Sequence, residues 1–253
     1  MSALLRLLLL LPLLGLASAA PLAAQAEAFD AGVAAYRRGD HAAASELWLE
    51  ALEHPLPAGE RARVCYDLGN AAWRSGRRGE ALGWYSAALR AAPRHADARR
   101  NLTFAREELG LQPADEGSLA SAFRRAAGSF TRAEAGWAAL AASALLFGLI
   151  ALEALLGGRL WRWLSLCAGA LALASAAAWI HAARASAGDP YVAIGVPSVS
   201  LRAEPRNDLS SIASVDAGRT VERVDELAGW LRVETAAGER GWAPAEELFR
   251  LER

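Results

Sequence analysis

The chain has 253 residues, enough for one large domain or two to three small ones, and 54 % of them are hydrophobic. Its formal net charge is −1 and its 27 basic residues are all arginine. Without a basic excess there is no electrostatic footprint for nucleic acid, which a protein binds by displacing counterions from phosphates. The two cysteines, Cys65 and Cys167, cannot make a disulfide framework and read as small buried hydrophobes.

Residues 1–19 read as a secretory signal. Arg6 is the single charge, Leu7–Leu11 starts an apolar core, Pro12 and Gly15 interrupt it, and Ala17-Ser18-Ala19 is a small-x-small cleavage site. A second cleavage site is Ala24-Gln25-Ala26, and an uncleaved anchor is the alternative because the leading region is weakly charged. Either way the following segment is expected to be exported.

Residues 26–109 carry helical periodicity with an internal repeat. Small residues (Gly69, Ala72, Ala81, Ala88) fall where two antiparallel helices must touch, and Leu68, Tyr85 and Leu89 fill the space between. Gly76 marks the turn and Pro93 ends the second helix. Gly32, Ala35, Gly39, Ala44, Trp48 and Ala51-Leu52 repeat this pattern, with Gly39 and Gly76 separated by 37 residues. The pattern resembles the tetratricopeptide (TPR) repeat, whose period is about 34 residues, so the connection Leu56–Glu60 carries about three extra. A third unit supplies one helix, Ala96–Leu109, read as a cap over the last pair.

Residues 110–130 form a linker, opened by Gly110, Pro113 and Gly117. Leu119, Phe123, Ala126 and Phe130 recur at helical spacing, which fits either a short interfacial helix or a solvated one. Residues 131–156 follow as a candidate membrane span, opened by the capping box Thr131-Arg132-Ala133-Glu134. Residues 161–183 are a second, with Trp161, Trp163 and Trp179 placed as interfacial anchors. The joining loop, 157–160, contains Arg159 and is followed by Arg162, and is expected to be cytoplasmic by the positive-inside rule. Arg124, Arg125 and Arg132 on the other side oppose that argument, and the leader decides it. A buried helical hairpin of a soluble protein is the bland alternative.

From residue 191 to 253 the periodicity changes toward two: Val199-Ser200-Leu201, Val221–Val224 and Trp230–Val233, with Gly and Pro between. Val199–Pro205, Gly229–Val233 and the closing Gly238-Glu239-Arg240-Gly241-Trp242-Ala243 resemble a bacterial SH3 (SH3b) domain. The fold class expected is therefore multidomain: an all-α TPR stack, a transmembrane α-helical hairpin, and a small all-β SH3-like barrel.

No enzyme constellation emerges. His41, His54, His95 and His181 are scattered, none has a Cys or carboxylate at metal or nucleophile spacing, and there is no Gly-rich phosphate loop. The expectation is no catalytic residue, no metal and no cofactor. The TPR resemblance implies instead a concave peptide-binding face, onto which it maps Phe29, Val33, Tyr36 and Arg37, then Tyr66, Asn70, Trp73 and Arg74, then Arg100 and Asn101. Asn70, Arg74, Arg100 and Asn101 suit a peptide backbone or a carboxylate. The alternative is that the asparagines tie adjacent helices together and the arginines are solvated. The region is uncharged overall, with 12 Arg in residues 26–110 against 12 Asp plus Glu. In the C-terminal unit Trp230 and Trp242 are expected in the core, with a ligand face as the alternative. That unit is net acidic, so a strongly anionic ligand does not suit it.

The order leader, TPR stack, membrane hairpin, SH3b resembles the TPR-containing Bat (BatE-like) proteins of bacterial aerotolerance operons. The resemblance implies a non-catalytic scaffold of an envelope complex supporting stress or oxygen tolerance. Its implied partners are von Willebrand factor A (VWA) membrane proteins, MoxR-type ATPases and other Bat-type subunits. The expected location is the bacterial inner membrane, crossed twice in contact with membrane lipid, with both modules in the periplasm. A cell-wall sensor that binds peptidoglycan through SH3b is the rival reading.

Overall fold

The computed structural model describes residues 19–111, 126 and 128–251. All but the last residue of the expected leader 1–19, and most of the expected helix at 119–130, lie outside them. Five helices come first: α1 (Ala19–Arg37), α2 (His41–Leu52), α3 (Ala58–Arg74), α4 (Arg78–Ala91) and α5 (Ala96–Glu108). Helix α1 starts at Ala19, upstream of the expected Ala26, and runs through the second candidate cleavage site.

Two helical hairpins are built by one rule. A glycine on the first helix lets an aromatic ring of the second lie against its backbone. A Cβ on Gly32 would stand 2.4 Å from the Trp48 indole, and one on Gly69 would stand 2.5 Å from the Tyr85 ring. The turns are equivalent too. Gly39 and Gly76 have φ of 85° and 77°, a left-handed conformation that a side chain resists. Asp40 then caps α2 by accepting the Ala43 N–H at 3.0 Å. Trp48, Leu68 and Leu82 are almost wholly buried between the helices, and the Trp48 indole donates to the Phe29 carbonyl at 3.2 Å. Each such side chain contributes about 1.5–3 kcal/mol of apolar burial.

Helices α6 (Arg132–Leu156) and α7 (Arg159–Ala187) form an antiparallel hairpin. Their apolar stretches have mean hydropathies of 2.2 and 1.7, and only 6 % and 11 % of those stretches are buried. Both are long and apolar enough to cross a membrane, and their apolar surface is presented outward rather than folded into a core. Trp137 and Phe147 are 72 % and 71 % exposed. The capping box forms, with Thr131 Oγ1 accepting the Glu134 N–H and Glu134 accepting the Thr131 N–H at 2.9 Å. Positive φ angles at Gly157 and Gly158 make the turn. The connection is thus two residues long, shorter than 157–160, because Arg159 and Leu160 already belong to α7. Arg162, on the first turns of α7, reaches back to Glu153 at 3.3 Å.

The C-terminal module contains β1 (Pro190–Ala193), β2 (Ser198–Arg202), β3 (Ser211–Asp216), β4 (Thr220–Leu227), β5 (Trp230–Thr235), β6 (Arg240–Pro244) and β7 (Leu248–Arg250). They make one antiparallel sheet, in the order β3-β2-β6-β5-β4-β1-β7, bent as a half-barrel. Alternation puts Val199, Leu201, Val221, Leu231, Val233 and Ala243 inside. Strands β4 and β5 meet in the two-residue turn Ala228-Gly229, both at positive φ.

The helical and β modules are docked on each other. Helix α4 lies against β1 and β7. Phe249 of β7 leaves its own sheet and is buried in the helical core, with its ring centroid 4.7 Å from that of Trp84, edge to face. Gly79 and Gly83 make this approach possible. A Cβ on Gly83 would stand 2.5 Å from the Phe249 ring, and one on Gly79 would overlap the Ile194 carbonyl. Arg106 of α5 closes the seam by donating to the Gly218 carbonyl at 2.7 Å. Burial of its guanidinium, beside Arg219, lowers its pKa.

Candidate functional site

The helical positions expected to line a groove fall into two groups with different work. Asn70 and Asn101 are already engaged. The Asn70 Oδ1 accepts from the Tyr85 hydroxyl at 3.0 Å and from Asn101 Nδ2 at 2.9 Å, and Asn101 also reaches the Tyr66 hydroxyl at 3.5 Å. This network ties α3, α4 and α5 together. Burial pushes the Tyr85 hydroxyl up to about 12, so it is a donor at all physiological pH. Tyr36 likewise packs between His41 and Trp48, at centroid separations of 4.9 and 5.9 Å.

The other group is available. Arg37 and Arg74 are exposed at the ends of α1 and α3, one per hairpin and at equivalent positions. Arg100 is exposed and pairs within its own helix with Asp97. Trp73 is half-buried, flanked by the Phe104 ring at 5.8 Å and by the Arg78 guanidinium at 5.3 Å. Phe104 is 51 % exposed, a large apolar group left open on α5. Arg63 stacks on Phe29 at 4.5 Å, extending the cation–aromatic pattern to α1. The face therefore offers aromatic rings edged by guanidinium groups, which suits an extended or helical peptide with apolar and acidic side chains. Beside it, burial lifts the Asp67 carboxyl to about 6 against the pull of Arg63. Cys65 is buried and pushed up to about 11, which leaves it a thiol rather than a nucleophilic thiolate.

In the β module the two tryptophans stand elsewhere than expected. Neither belongs to the core; both are half-buried. The register explains it. Leu231 and Val233 face inward, so Trp230 and Arg232 face outward, and the pairings Trp230↔Pro244 and Arg232↔Trp242 place all four on one outer face. Arg202 pairs with Trp242 across β2 and β6, and its guanidinium lies 5.4 Å from the Trp230 ring. Gly241 is what admits β6 so close to β2, since a Cβ there would stand 2.7 Å from that of Leu201. The outcome is an outward-facing patch of two half-buried indoles and two guanidinium groups, those of Arg202 and the exposed Arg232, on the sheet.

Sequence reasoning missed the seam between the modules. The available signal was Gly79-x-x-x-Gly83 inside a helix, where each glycine costs about 1 kcal/mol relative to alanine and so needs a packing reason. Among the described residues no three His, Cys, Asp or Glu side chains gather as metal ligands would.

Residues 197–248 match the bacterial SH3 domain family. The match covers β2 to the start of β7 and includes both outward tryptophans. No curated protein matches the chain.

Proposed function

We propose that this chain is a non-catalytic, membrane-anchored adaptor of a bacterial envelope complex, with two binding faces carried on one rigid body. The observation that carries this reading is the outward patch Trp230, Arg232, Trp242 and Arg202 on a bacterial SH3 module that is fastened to the helical hairpins through Phe249. Adaptor modules work by presenting such preorganised aromatic and arginine surfaces, where binding energy concentrates.

In this reading the first five helices are a short TPR stack, and the α6–α7 hairpin spans the inner membrane with both modules in the periplasm. Anchoring raises the effective concentration of each face toward neighbouring membrane proteins, so weak contacts suffice. The partners fitting the BatE-like resemblance are VWA-domain proteins and other Bat-type subunits, with the TPR face holding a peptide segment. The test is an affinity pull-down from gently solubilised native membranes. The variants are Arg37→Glu/Arg74→Glu on the helical face and Trp230→Ala/Trp242→Ala on the sheet. Recovery of VWA-domain proteins by the wild type, lost in either variant, supports the scaffold and locates its face. Partners that survive both variants refute the assigned faces.

The outward tryptophans also favour a second reading, a cell-wall sensor whose SH3 module binds peptidoglycan peptides. Co-sedimentation of the detergent-solubilised full chain with isolated sacculi, abolished by Trp230→Ala/Trp242→Ala, would select it. A chain that stays in the supernatant eliminates it.

A further inference from the structure

A groove of about 500 Å³ runs along the α6–α7 hairpin toward its Gly157-Gly158 turn, lined by residues of those two helices. On α7 it extends from Arg162 to Leu173, about 16 Å of helix. Leu166 and Leu173 line it one heptad apart and are 59 % and 75 % exposed. Ser165 lines it too, but is only 8 % exposed, and its hydroxyl has no hydrogen-bond partner among the described residues. Ser143 and Ser175, elsewhere in the hairpin, donate theirs to the carbonyl one turn back, each at 2.8 Å. A buried hydroxyl left without a partner bears the full cost of its desolvation. Gly169 lies one turn beyond Ser165 in the same groove. Helix α6 does not require a glycine there. A Cβ on Gly169 would stand 3.8 Å from Leu146, an ordinary contact, whereas one on Gly32 or Gly69 would overlap a ring.

The chemistry of this groove is self-complementary. Toward the turn it carries an acid from one helix and a base from the other, Glu153 and Arg162, paired at 3.3 Å. The Arg162 side chain is 71 % exposed, and a guanidinium has five N–H donors, so it can hold its own Glu153 and the same carboxylate of a second copy. Membrane insertion gives every copy one orientation. The two-fold axis of a pair therefore runs along the membrane normal, and each residue meets the other copy at its own depth. Glu153 and Arg162, already level with each other, then meet crosswise. Ser165 meets its own counterpart. A hydroxyl is at once donor and acceptor, so a rotation about χ1 on each side lets the two satisfy one another. The space over Gly169 receives a leucine of the opposite α7 as a hole receives a knob, and small residues let the two backbones approach. An acyl chain would fill the apolar length of the groove and leave the hydroxyl without a partner.

We propose that this groove is the interface of a homodimer, in which α7 packs against α7 of a second copy through Ser165, Gly169 and Leu173. The inference rests on the α6–α7 hairpin spanning the membrane, as in the function proposed above. Alkaline carbonate extraction tests that premise by itself: release of the full chain into the supernatant refutes the span. The interface is tested by oxidative cross-linking of the full chain in its native membranes. Cys167 is the built-in control, since it is exposed and stands two residues beyond Ser165, about 200° round the helix and so on another face. Cys65 is buried in the helical stack. Oxidation should leave the wild type monomeric and convert Ser165→Cys/Cys167→Ser into a disulfide-linked dimer. In phosphatidylcholine liposomes, energy transfer between labelled copies should show Gly169→Leu raising the dimer Kd about tenfold or more and Ser165→Ala about threefold. If Gly169→Leu disturbs the hairpin itself, the Ser165→Ala shift still decides. Cross-linking through Cys167 as efficient as through position 165, no dimer at position 165, or a Kd unchanged by Ser165→Ala overturns the proposal. So does a monomer that retains a bound lipid, or a different membrane protein captured at position 165, because either gives the groove another occupant.

Discussion

Phe249→Ala isolates the seam between the helical and β modules. The ring is 4 % exposed, belongs to the helical core rather than to the sheet's own core, and meets Trp84 edge to face. Removing a buried phenyl costs about 3–5 kcal/mol, of which the lost edge-to-face pair is about 1. For a chain of this size that corresponds to a fall in Tm of roughly 10 °C. Hydrogen exchange on the detergent-solubilised full chain should localise the loss to α4, β1 and β7. Amides of β5 and β6, whose inward residues Leu231, Val233 and Ala243 do not touch Phe249, should keep their protection. Gly83→Ala supplies the second edge of a double-mutant cycle. In the wild type its Cβ would stand 2.5 Å from the ring, so the variant destabilises despite a helix-propensity gain of about 1 kcal/mol. In the Phe249→Ala background the space is free and the same substitution stabilises. A Gly83→Ala change that stabilises both backgrounds, or uniform exchange loss across all strands, would refute the docking and leave the modules as independent bodies.

Four further outcomes follow. Asn70→Ala strips the acceptor from the Tyr85 hydroxyl and the Asn101 amide, so thermal denaturation should show a loss of about 1–3 kcal/mol, whereas Arg74→Ala at an exposed position should change stability by less than about 0.5. Asp67 titrates at about 6 in the fold and near 3.9 unfolded. Its favourable contribution is therefore complete below the unfolded value and lost as pH rises from there through about 6, so the Tm of Asp67→Asn relative to wild type should climb between about pH 4 and 6 and level off above; a flat difference across that range contradicts the buried carboxyl. Ala228→Gly relieves a left-handed alanine at φ 49° and should raise stability by up to about 1 kcal/mol in thermal melts. A periplasm-only reporter fused after Arg253 should be active and one inserted at Gly157-Gly158 silent, with the reverse pattern inverting the topology.

How far the sequence could be read depends on the range of the forces involved. The hairpin repeat was legible because its rule is local. Gly32 with Trp48 and Gly69 with Tyr85 recur at the same offset, and a glycine facing a large ring is a packing statement visible in one dimension. The capping box at Thr131 and the strand alternation of Leu231 and Val233 are equally short-range. The tryptophans misled for a related reason. Composition says that an indole belongs inside, yet Trp230 and Trp242 occupy the opposite parity from Leu231 and Ala243, and strand parity overrides residue type when the inner face is already filled by aliphatic side chains. Parity was there to be used, since Trp230-Leu231-Arg232-Val233 puts its indole on the arginine's side. The sequence left the asparagines of the expected groove between peptide binding and tying helices together; all three of their hydrogen bonds run to a residue on another helix, so only the fold shows that the tie is what they make. The seam was least legible of all. Phe249 and Gly83 are far apart along the chain, with the apolar α6–α7 hairpin between them, and nothing in the local pattern of Leu248–Arg250 says that its ring turns away from its own sheet. A glycine pair inside a helix is the trace such a long-range contact leaves, because helix propensity alone disfavours it.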